Sequence, residues 1–226
     1  TDKYLGIKGG KAGSSHGHMD AGSFVYDAYG VRWSMDFGLQ SYTTLESKLS
    51  ALGGNLWDMG QNSMRWDVFR LNHSTISIND ARHRVNGAAT LTTTINTATE
   101  LGATFDLTEV VSDQAASATR TVKIVNDKDL VVMDEIKART DKSAKVRWCM
   151  VTPAVPTVES NRIVLTNGSK VMYLTASGSV KPTYKQWSTT SENSYDQANP
   201  GTYMVGFEAT VTANQTATFT TTLSPK

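Results

Sequence analysis

The feature that most constrains the fold is a succession of short segments, rich in threonine and valine, separated by turn residues. Alternation of apolar and polar residues with a period of two is typical of strands with one buried face. The predicted strands cover residues 4–8, 22–29, 31–36, 68–71, 74–78, 88–95, 104–107, 118–125, 130–138, 145–151, 162–165, 171–176, 180–187, 202–211 and 216–223. This spacing predicts an all-β fold, an antiparallel β-sandwich of two stacked sheets formed by residues 1–226 as one domain.

One short helix is expected between the early strands and the later series. Thr43 and Glu46 fit a capping box, in which the two side chains satisfy the first backbone N–H groups of a helix. Two glycines at positions 53 and 54 would end it. Three leucines fall on one face of this helix: Leu45, Leu49 and Leu52.

Composition excludes several classes of protein. The 22 basic and 21 acidic side chains nearly balance, so the chain lacks the excess positive charge that nucleic-acid binding needs. It also lacks an apolar run long enough to span a membrane. Cys149 is the single cysteine, which rules out an intrachain disulfide. No signal peptide is recognisable, and the abrupt start predicts a piece of a longer protein.

Two of the four histidines stand one residue apart, at His16 and His18. In an extended strand, residues with this spacing project from the same face. The pair could therefore share a metal ion or an active site, and the glycines around it leave room for a ligand. This segment predicts a site for metal binding and catalysis rather than a structural turn.

Three residues form the predicted metal site: His18, Asp36 and His73. Imidazole and carboxylate groups are ligands that suit zinc, and three protein ligands leave a fourth position open. The alternative is that Asp36 caps a turn and His73 is an ordinary histidine at a strand end. Asp20 could orient one of the imidazoles from behind, or it could only stabilise the turn into the next strand.

His16 is the predicted catalytic residue. It could act as a base, an acid or a charge partner, because imidazole titrates near neutral pH. The alternatives are that it is a second metal ligand or that it hydrogen-bonds within the glycine-rich turn. His83, between two arginines, is expected to be a solvated histidine in a basic surface turn.

Aromatic residues and one arginine suggest a surface for a carbohydrate. Tryptophan rings stack on sugar rings, and a guanidinium group binds carboxylate or sulfate in a fork. Trp57 and Trp66 lie in the least regular segment of the chain, next to Arg65, and these three are the predicted substrate-binding residues. The alternatives are that the tryptophans belong to the core and that Arg65 forms a surface salt bridge.

One familiar metal motif is only partly matched. Gly10, followed after five residues by His16-Gly17-His18, imitates the opening of the cupin metal motif. That motif needs a glutamate shortly after the second histidine, and residues 19–24 contain none. Cupin is therefore rejected as the leading interpretation and kept as a metal-binding alternative.

Four separated segments match another family better. They are Lys-Gly-Gly at residues 8–10, Ser-His-Gly-His-Met-Asp-Ala-Gly-Ser-Phe at 15–24, Met-Asp-Phe-Gly at 35–38 and Asn-His-Ser-Thr at 72–75. In this order they resemble the C-terminal β-sheet region of the heparinase II/III-like polysaccharide lyases. The motifs cover roughly the first third of the chain, and the remainder resembles the family only as a run of strands.

The resemblance implies roles for the same residues. In that family the second histidine of the pair, the aspartate and the later histidine bind zinc, which corresponds to His18, Asp36 and His73. The first histidine, here His16, faces the substrate cleft. Family members cleave acidic polysaccharides by β-elimination: a base removes the C5 proton of a uronic acid and an acid protonates the departing O4. His16 would be the base for one uronate epimer, or would help to neutralise the carboxylate.

The resemblance also implies a partner. Family lyases carry a catalytic tyrosine, and an asparagine or histidine, on an N-terminal helical toroid, and this chain shows no amphipathic helical array. It is therefore expected to be the C-terminal domain alone, inactive by itself, with a structural zinc ion. The substrate would be a heparin- or heparan-sulfate-like polysaccharide, and the location periplasmic or secreted. A carbohydrate-binding module and a purely structural sandwich are the alternatives.

Overall fold

The computed structural model describes residues 3–68, 73–190 and 196–226. Its helices are α1 (Tyr42–Ala51), α2 (Arg65–Val68) and α3 (Thr108–Val111). The strands are β1 (Tyr4–Ile7), β2 (Gly10–Lys11), β3 (Phe24–Ala28), β4 (Val31–Ser34), β5 (Ile76–Ile78), β6 (Ala88–Asn96), β7 (Glu100–Asp106), β8 (Ala115–Val125), β9 (Asp129–Ala138), β10 (Ala144–Thr152), β11 (Val155–Val158), β12 (Ile163–Asn167), β13 (Lys170–Gly178), β14 (Thr183–Trp187), β15 (Tyr203–Val211) and β16 (Thr216–Pro225). The predicted all-β class is confirmed.

The strands form three antiparallel sheets within the described part of the chain. The largest has nine strands in the order β11-β12-β13-β16-β9-β8-β7-β6-β2. The second has the order β14-β15-β10-β5, and the third is a small sheet of β1-β3-β4. The sequence pattern predicts two sheets. The third is an addition that the pattern does not reveal, because period and turn residues say where strands are and not which strands pair.

The core lies where the three sheets meet. The rings of Trp148 on β10 and Phe207 on β15 stack with centroids 5.8 Å apart. Phe207 also contacts Phe219 on β16, and Phe24 on β3 contacts Trp148, at 5.5 and 6.0 Å between centroids. All four side chains are buried. A continuous aromatic cluster therefore joins one strand of the small sheet to both larger sheets.

β9 illustrates how the alternating sequence produces this packing. Val132 and Ile136 are buried, while Glu135 between them faces solvent. The turn that precedes β9 places Asn126 and Asp127 at φ values of +51° and +47°. Asn and Asp tolerate positive φ well, and the N–H of Lys128 closes the turn by donating to the carbonyl of Val125 at 3.0 Å. The predicted hairpin turn is confirmed.

A buried ion pair crosses from β8 to β9. The Nε and Nη2 atoms of Arg120 donate to the two carboxylate oxygens of Asp134, at 2.7 and 3.1 Å. Both side chains are shielded from solvent, so each charge depends on the other. The remaining Nη1 atom donates to the carbonyl of Gly22, at 3.0 Å. This contact connects the largest sheet to the segment that precedes β3.

The predicted helix exists, with different boundaries and packing. α1 begins at Tyr42, ahead of the expected cap at Thr43, and no side chain forms a capping hydrogen bond. Leu45 and Leu49 are buried as expected, but Leu52 is exposed because the chain leaves the helix there. The hydrophobic face of α1 is therefore shorter than the leucine spacing predicts.

Two short helices replace or supplement predicted strands. α2 occupies the start of the strand expected over residues 68–71, and residues 69–72 lie outside the described part of the chain. α3 connects β7 to β8 and buries Val110 and Val111. Four-residue helices carry too little periodicity to be recognised in a sequence rich in strands.

Candidate functional site

Residues 12–23, between β2 and β3, form a loop that we call the histidine loop. The N–H of Gly17 donates to the carbonyl of Ser14 at 2.9 Å, and His16 takes a φ of +58°. A Cβ atom on Gly17 would lie 2.4 Å from the Ser14 hydroxyl, so only glycine fits this turn. The expectation that His16 and His18 share one face of a strand is therefore wrong: the turn sends the two imidazoles to different neighbours.

The far end of the histidine loop is anchored by three hydrogen bonds. The Thr75 hydroxyl donates to the carbonyl of Ala21 at 2.7 Å, and Arg120 donates to the carbonyl of Gly22. The N–H of Gly22 donates to the carbonyl of Lys8 at 2.9 Å. Gly22 has a φ of +75°, which glycine adopts without strain. These bonds hold the loop against both larger sheets.

The three predicted metal ligands lie together at this loop. The Nδ1 atom of His73 is 2.7 Å from Oδ2 of Asp36, and the rings of His18 and His73 have centroids 5.2 Å apart. His73 is buried and Asp36 is about one-third exposed. Residues distant in the sequence thus converge at one point, His18 from the loop, Asp36 just after β4, and His73 before β5.

The electrostatics of this cluster keep His18 neutral. Burial, helped by the neighbouring His73, lowers the pKa of His18 to about 4. Burial alone would raise the pKa of Asp36, but the hydrogen bonds with His73 and with the backbone N–H of Gly38 hold it below its usual value. At neutral pH the site therefore offers an unprotonated imidazole beside a carboxylate.

The three side chains are of types that bind zinc and lie near one another, but they are not arranged as a preformed coordination site. Two imidazoles and a carboxylate are donor types that zinc takes. Across residues 3–68, 73–190 and 196–226, no three His, Cys, Asp or Glu side chains are grouped as a ready ligand set. Asp36 and His73 instead bond to each other, so a shared cation would have to take the place of the proton between them.

Asp20 has a cation as its direct partner. The Nζ atom of Lys8 lies 2.7 and 2.6 Å from its two carboxylate oxygens. Its charge favours the protonated form of His18 through space, although burial outweighs that effect. The structure therefore gives Asp20 an ion pair with Lys8 across the base of the histidine loop.

His16 belongs to a separate, exposed aromatic group. Its ring stacks on Tyr42 with centroids 5.4 Å apart, and its Nδ1 atom lies 3.1 Å from the Tyr42 hydroxyl. The Trp57 ring is roughly perpendicular to both rings, and its Nε1 atom donates to Glu46 at 3.0 Å. With 49 % of its surface exposed, Trp57 can contact a ligand. Tyr42 was not among the sequence candidates; its position at the start of the helix after Asp36 is the signal that could have found it.

The other two predicted substrate contacts are buried. Trp66 is fully buried and donates from Nε1 to the carbonyl of Gly60 at 3.1 Å. Arg65 is 1 % exposed, donates to the carbonyl of Leu56 at 2.8 Å, and lies over the Trp66 ring at 4.7 Å. A buried indole has no face to offer a sugar. In this structure Trp66 and Arg65 support the site from below, and Trp57 alone of the three reaches its surface.

His83 corrects another expectation, because it is buried and not solvated. Its Nε2 atom lies 2.9 Å from the carbonyl of Ile76, and burial lowers its pKa to about 4. It lines a small cavity together with His73 and Cys149, and the Cys149 thiol lies 3.2 Å from the His73 carbonyl. This cavity lies behind the predicted metal ligands. The flanking arginines in the sequence gave a misleading signal of exposure.

None of the helices in the described residues is long and apolar enough to cross a membrane. Comparison with curated protein sequences gives no match.

Solved structures share the fold. A heparan sulfate lyase HepC mutant from Pedobacter heparinus matches with a TM-score of 0.67 at 15% identity, over 99% of this chain and 33% of that one. A heparinase III structure matches with a TM-score of 0.68 at 18% identity, over 95% of this chain and 31% of that one. The chain thus spans about a third of the length of these structures.

A family model relates the sequence itself to known proteins. The model described as "Heparinase II/III-like, C-terminal" matches residues 2–225, almost the entire chain. This agrees with the family expected from the four sequence motifs. The chain belongs to the heparinase II/III-like C-terminal family.

Proposed function

We propose that this chain is the zinc-binding C-terminal domain of a lyase that cleaves uronic-acid-containing polysaccharides by β-elimination. The observation that carries the proposal is the convergence of His18, Asp36 and His73. His18 shares the histidine loop with His16, which packs against Tyr42 and Trp57. The lyase class and the heparan-sulfate-like substrate are proposed from the family and from the similarity of the fold to a heparan sulfate lyase.

Zinc held by His18, Asp36 and His73 would cross-link the histidine loop to the segments that follow β4 and precede β5. Its contribution is therefore structural. The loop makes a tight turn at His16, and fixing the neighbouring His18 limits how far His16 can move. The protein residues would hold the loop, and no water-activating step is needed for β-elimination.

The exposed group of His16, Tyr42 and Trp57 would contact the substrate. The Trp57 ring would stack on a sugar, while the His16 imidazole approaches the uronate. Removal of the weakly acidic C5 proton places negative charge on the carboxylate, which hydrogen-bond donors must stabilise. His16 is one such group, and the remaining donors and the base would come from the partner domain. We therefore expect the chain alone to be inactive.

An apolar surface suits such a partner. Five exposed apolar side chains occur between residues 39 and 64, around α1 and the segment that follows it: Leu39, Leu52, Trp57, Met59 and Met64. Exposed apolar side chains that lie together on a surface mark a contact site for another protein or domain. We infer that some of these side chains contact the helical toroid domain. A lyase for such a polymer would act in the periplasm or outside the cell.

Metal analysis tests the zinc site. The purified chain is measured by mass spectrometry beside His18→Ala and His73→Ala, with His16→Ala as the matched control. We expect about one zinc per chain, lost in the first two variants and kept in His16→Ala. A folded wild-type protein without bound zinc after incubation with the metal would contradict the site.

A carbohydrate-binding module is the second candidate, favoured by the exposure of Trp57. It predicts binding of a glucuronate oligosaccharide that survives His16→Ala and chelation of the metal but is lost in Trp57→Ala. The lyase proposal predicts instead that the chain, joined to its helical domain, releases unsaturated uronate products detectable by ultraviolet absorbance. Failure to release them in the zinc-loaded, joined protein would overturn the lyase assignment.

A further inference from the structure

We propose that Arg147 and Trp187 form an anion-binding subsite on the outer face of the four-stranded sheet. The group that it takes is a carboxylate or a sulfate carried by a sugar. That the sugar belongs to an acidic polysaccharide rests on the proposed function, whereas the anion subsite itself does not. The subsite would hold a unit of the polymer other than the one that His16 contacts.

The outer face is the side of the four-stranded sheet that points away from the core. Alternate residues of β10 point to opposite sides of the sheet, and Trp148 is buried in the aromatic cluster. Arg147 and Cys149 therefore point the other way. Paired residues of neighbouring strands share a side, which places Glu208 of β15 on this face opposite Arg147. Trp187 of β14 packs against the same face.

Arg147 is held on this face by stacking. Its guanidinium carbon lies 4.2 Å from the centre of the Trp187 ring. Its Nη2 atom donates to Sδ of Met204 at 2.9 Å, and a thioether sulfur is only a weak acceptor. A guanidinium stacked on a ring is oriented in advance, and its edge presents N–H groups in a fork that matches an oxyanion. The side chain is half-buried, so this edge is within reach of a ligand.

The hydrogen-bonding capacity of Arg147 is not used by the described part of the protein. Its Nε atom is shielded and has no hydrogen-bond partner there, and no described carboxylate lies within ion-pair distance of its guanidinium. Five other arginines each pair with a carboxylate: Arg32, Arg84, Arg120, Arg139 and Arg162.

Arg162 is the most similar of these arginines. It stacks on Tyr173 at 4.4 Å, much as Arg147 stacks on Trp187, and its Nε atom also donates to Glu159 at 2.6 Å. Arg147 has the stacked ring without the carboxylate. The position that Glu159 takes beside Arg162 is therefore open to an anion from outside the chain at Arg147.

The surrounding charges favour that anion. Glu208 is opposite Arg147 in register, but Lys185 and Lys145 hold its carboxylate, at 2.8 and 3.8 Å. Lys145 also pairs with Asp80. Three cations therefore share this face with two carboxylates. The lysines offset the carboxylates, and the charge of Arg147 remains to attract a ligand.

The subsite adjoins the proposed metal ligands. The Cys149 thiol lies 3.2 Å from the carbonyl of His73. Two residues separate neighbours on one face of a strand by about 7 Å, which is the step from Cys149 to Arg147. Phe37, in the segment after β4, packs against the same small hydrophobic cluster as Trp187. An extended polymer bound beside the metal ligands can therefore continue across Arg147.

Nitrogen-15 NMR of the intact chain tests the subsite with two probes, a sulfate-free tetrasaccharide that contains glucuronate and its sulfated counterpart. We expect the Arg147 Nε–H and Trp187 indole signals to shift, in wild type and equally in Trp57→Ala, which removes the other proposed sugar contact. Shifts with both probes would show that a carboxylate suffices, and shifts with the sulfated probe alone would identify sulfate; either supports the subsite. The absence of shifts with both probes at about millimolar concentration, equivalent to about 4 kcal/mol of binding free energy, would overturn it.

Arg147→Gln then tests the arginine, and Arg162→Gln is the matched control. Calorimetric titration with the probe that shifts the signals should give an affinity about tenfold weaker for Arg147→Gln, because a hydrogen bond to a charged group contributes at least that factor. Arg162→Gln should bind as wild type does. Equal affinities in the two folded variants would overturn the role of Arg147. The wild-type spectra remain decisive if a variant fails to fold. Because neither zinc content nor turnover is measured, failure of the lyase assignment would leave these results unchanged.

Discussion

The Nδ1 atom of His73 lies 2.7 Å from Oδ2 of Asp36, and this contact joins the segment after β4 to the segment before β5. The buried imidazole donates to a carboxylate that is partly open to solvent. This hydrogen bond fixes the orientation of the His73 ring. The same two residues would hold zinc together with His18 under the proposed function.

Asp36→Asn should weaken zinc binding while preserving the size of the side chain. Losing an outer partner of a metal ligand costs 10–100-fold in affinity, so losing a ligand should cost at least about tenfold. The measurement is a zinc titration with a competing chelator. Asp27→Asn, which removes an acidic group from the ion pair with Arg32, is the matched control and should leave the affinity unchanged. Equal affinity in both variants would show that Asp36 is not a ligand.

Arg120→Met should destabilise the fold strongly. It leaves Asp134 buried without its partner, and breaking a buried pair in this way costs about 3–5 kcal/mol. Arg32→Met breaks the exposed pair with Asp27 and should cost about 1 kcal/mol or less. Urea unfolding of the two variants measures both values. Similar midpoints would mean that the Arg120 pair contributes no more than a surface pair.

Trp66→Ala and Trp57→Ala should separate stability from recognition. Removing the buried Trp66 side chain leaves a cavity and should lower the free energy of unfolding by about 3–5 kcal/mol. Removing the half-exposed Trp57 should change stability by about 1 kcal/mol or less and weaken binding of a uronate oligosaccharide. Unfolding curves and calorimetric binding provide the two readouts. If Trp57→Ala bound the sugar as tightly as wild type, Trp57 would be excluded as a contact.

The free energy of unfolding should decrease as the pH is lowered, because His83 takes up a proton more readily in the unfolded chain. Its pKa is about 4 in the fold, against about 6.5 in an unfolded chain. Above about pH 6.5 both states are neutral and His83 has no effect. Between about pH 6.5 and 4 only the unfolded chain gains the proton, which lowers the free energy of unfolding by roughly 3 kcal/mol.

His83→Gln supplies the comparison, because glutamine can donate to the Ile76 carbonyl and does not titrate. Both proteins are unfolded across this pH range with a chelator present, so that His18 contributes equally. The variant should lose less stability on acidification than wild type. Identical slopes would rule out His83 as the source of the pH dependence.

The sequence predicts individual strands well and their partners poorly. β8 and β9 are recognised because alternate residues face one buried side. The pairing of β9 with β16 joins distant parts of the chain, and no local pattern records it. The alternating pattern also fails to identify a charged residue that is buried. Arg120 resembles a surface residue until its register opposite Asp134 is known.

The same contrast between local sequence pattern and contacts between distant residues applies to the site. His18, Asp36 and His73 could be chosen from donor type and motif order, and the fold brings them together. Arg65, Trp66 and His83 were misjudged because residue type does not reveal burial. Tyr42 was missed because its contact with His16 depends on a turn that bends the histidine loop toward α1.

The anchoring of the histidine loop has a consequence for how this site can change over time. Its far end is clamped by Thr75 and Arg120, whereas His16, at its tip, makes its described contacts with side chains alone. Substitutions at the tip can therefore alter the chemistry without loosening the sandwich. The scaffold and the reactive group can evolve at different rates, with one sheet architecture carrying many variants of the same exposed loop.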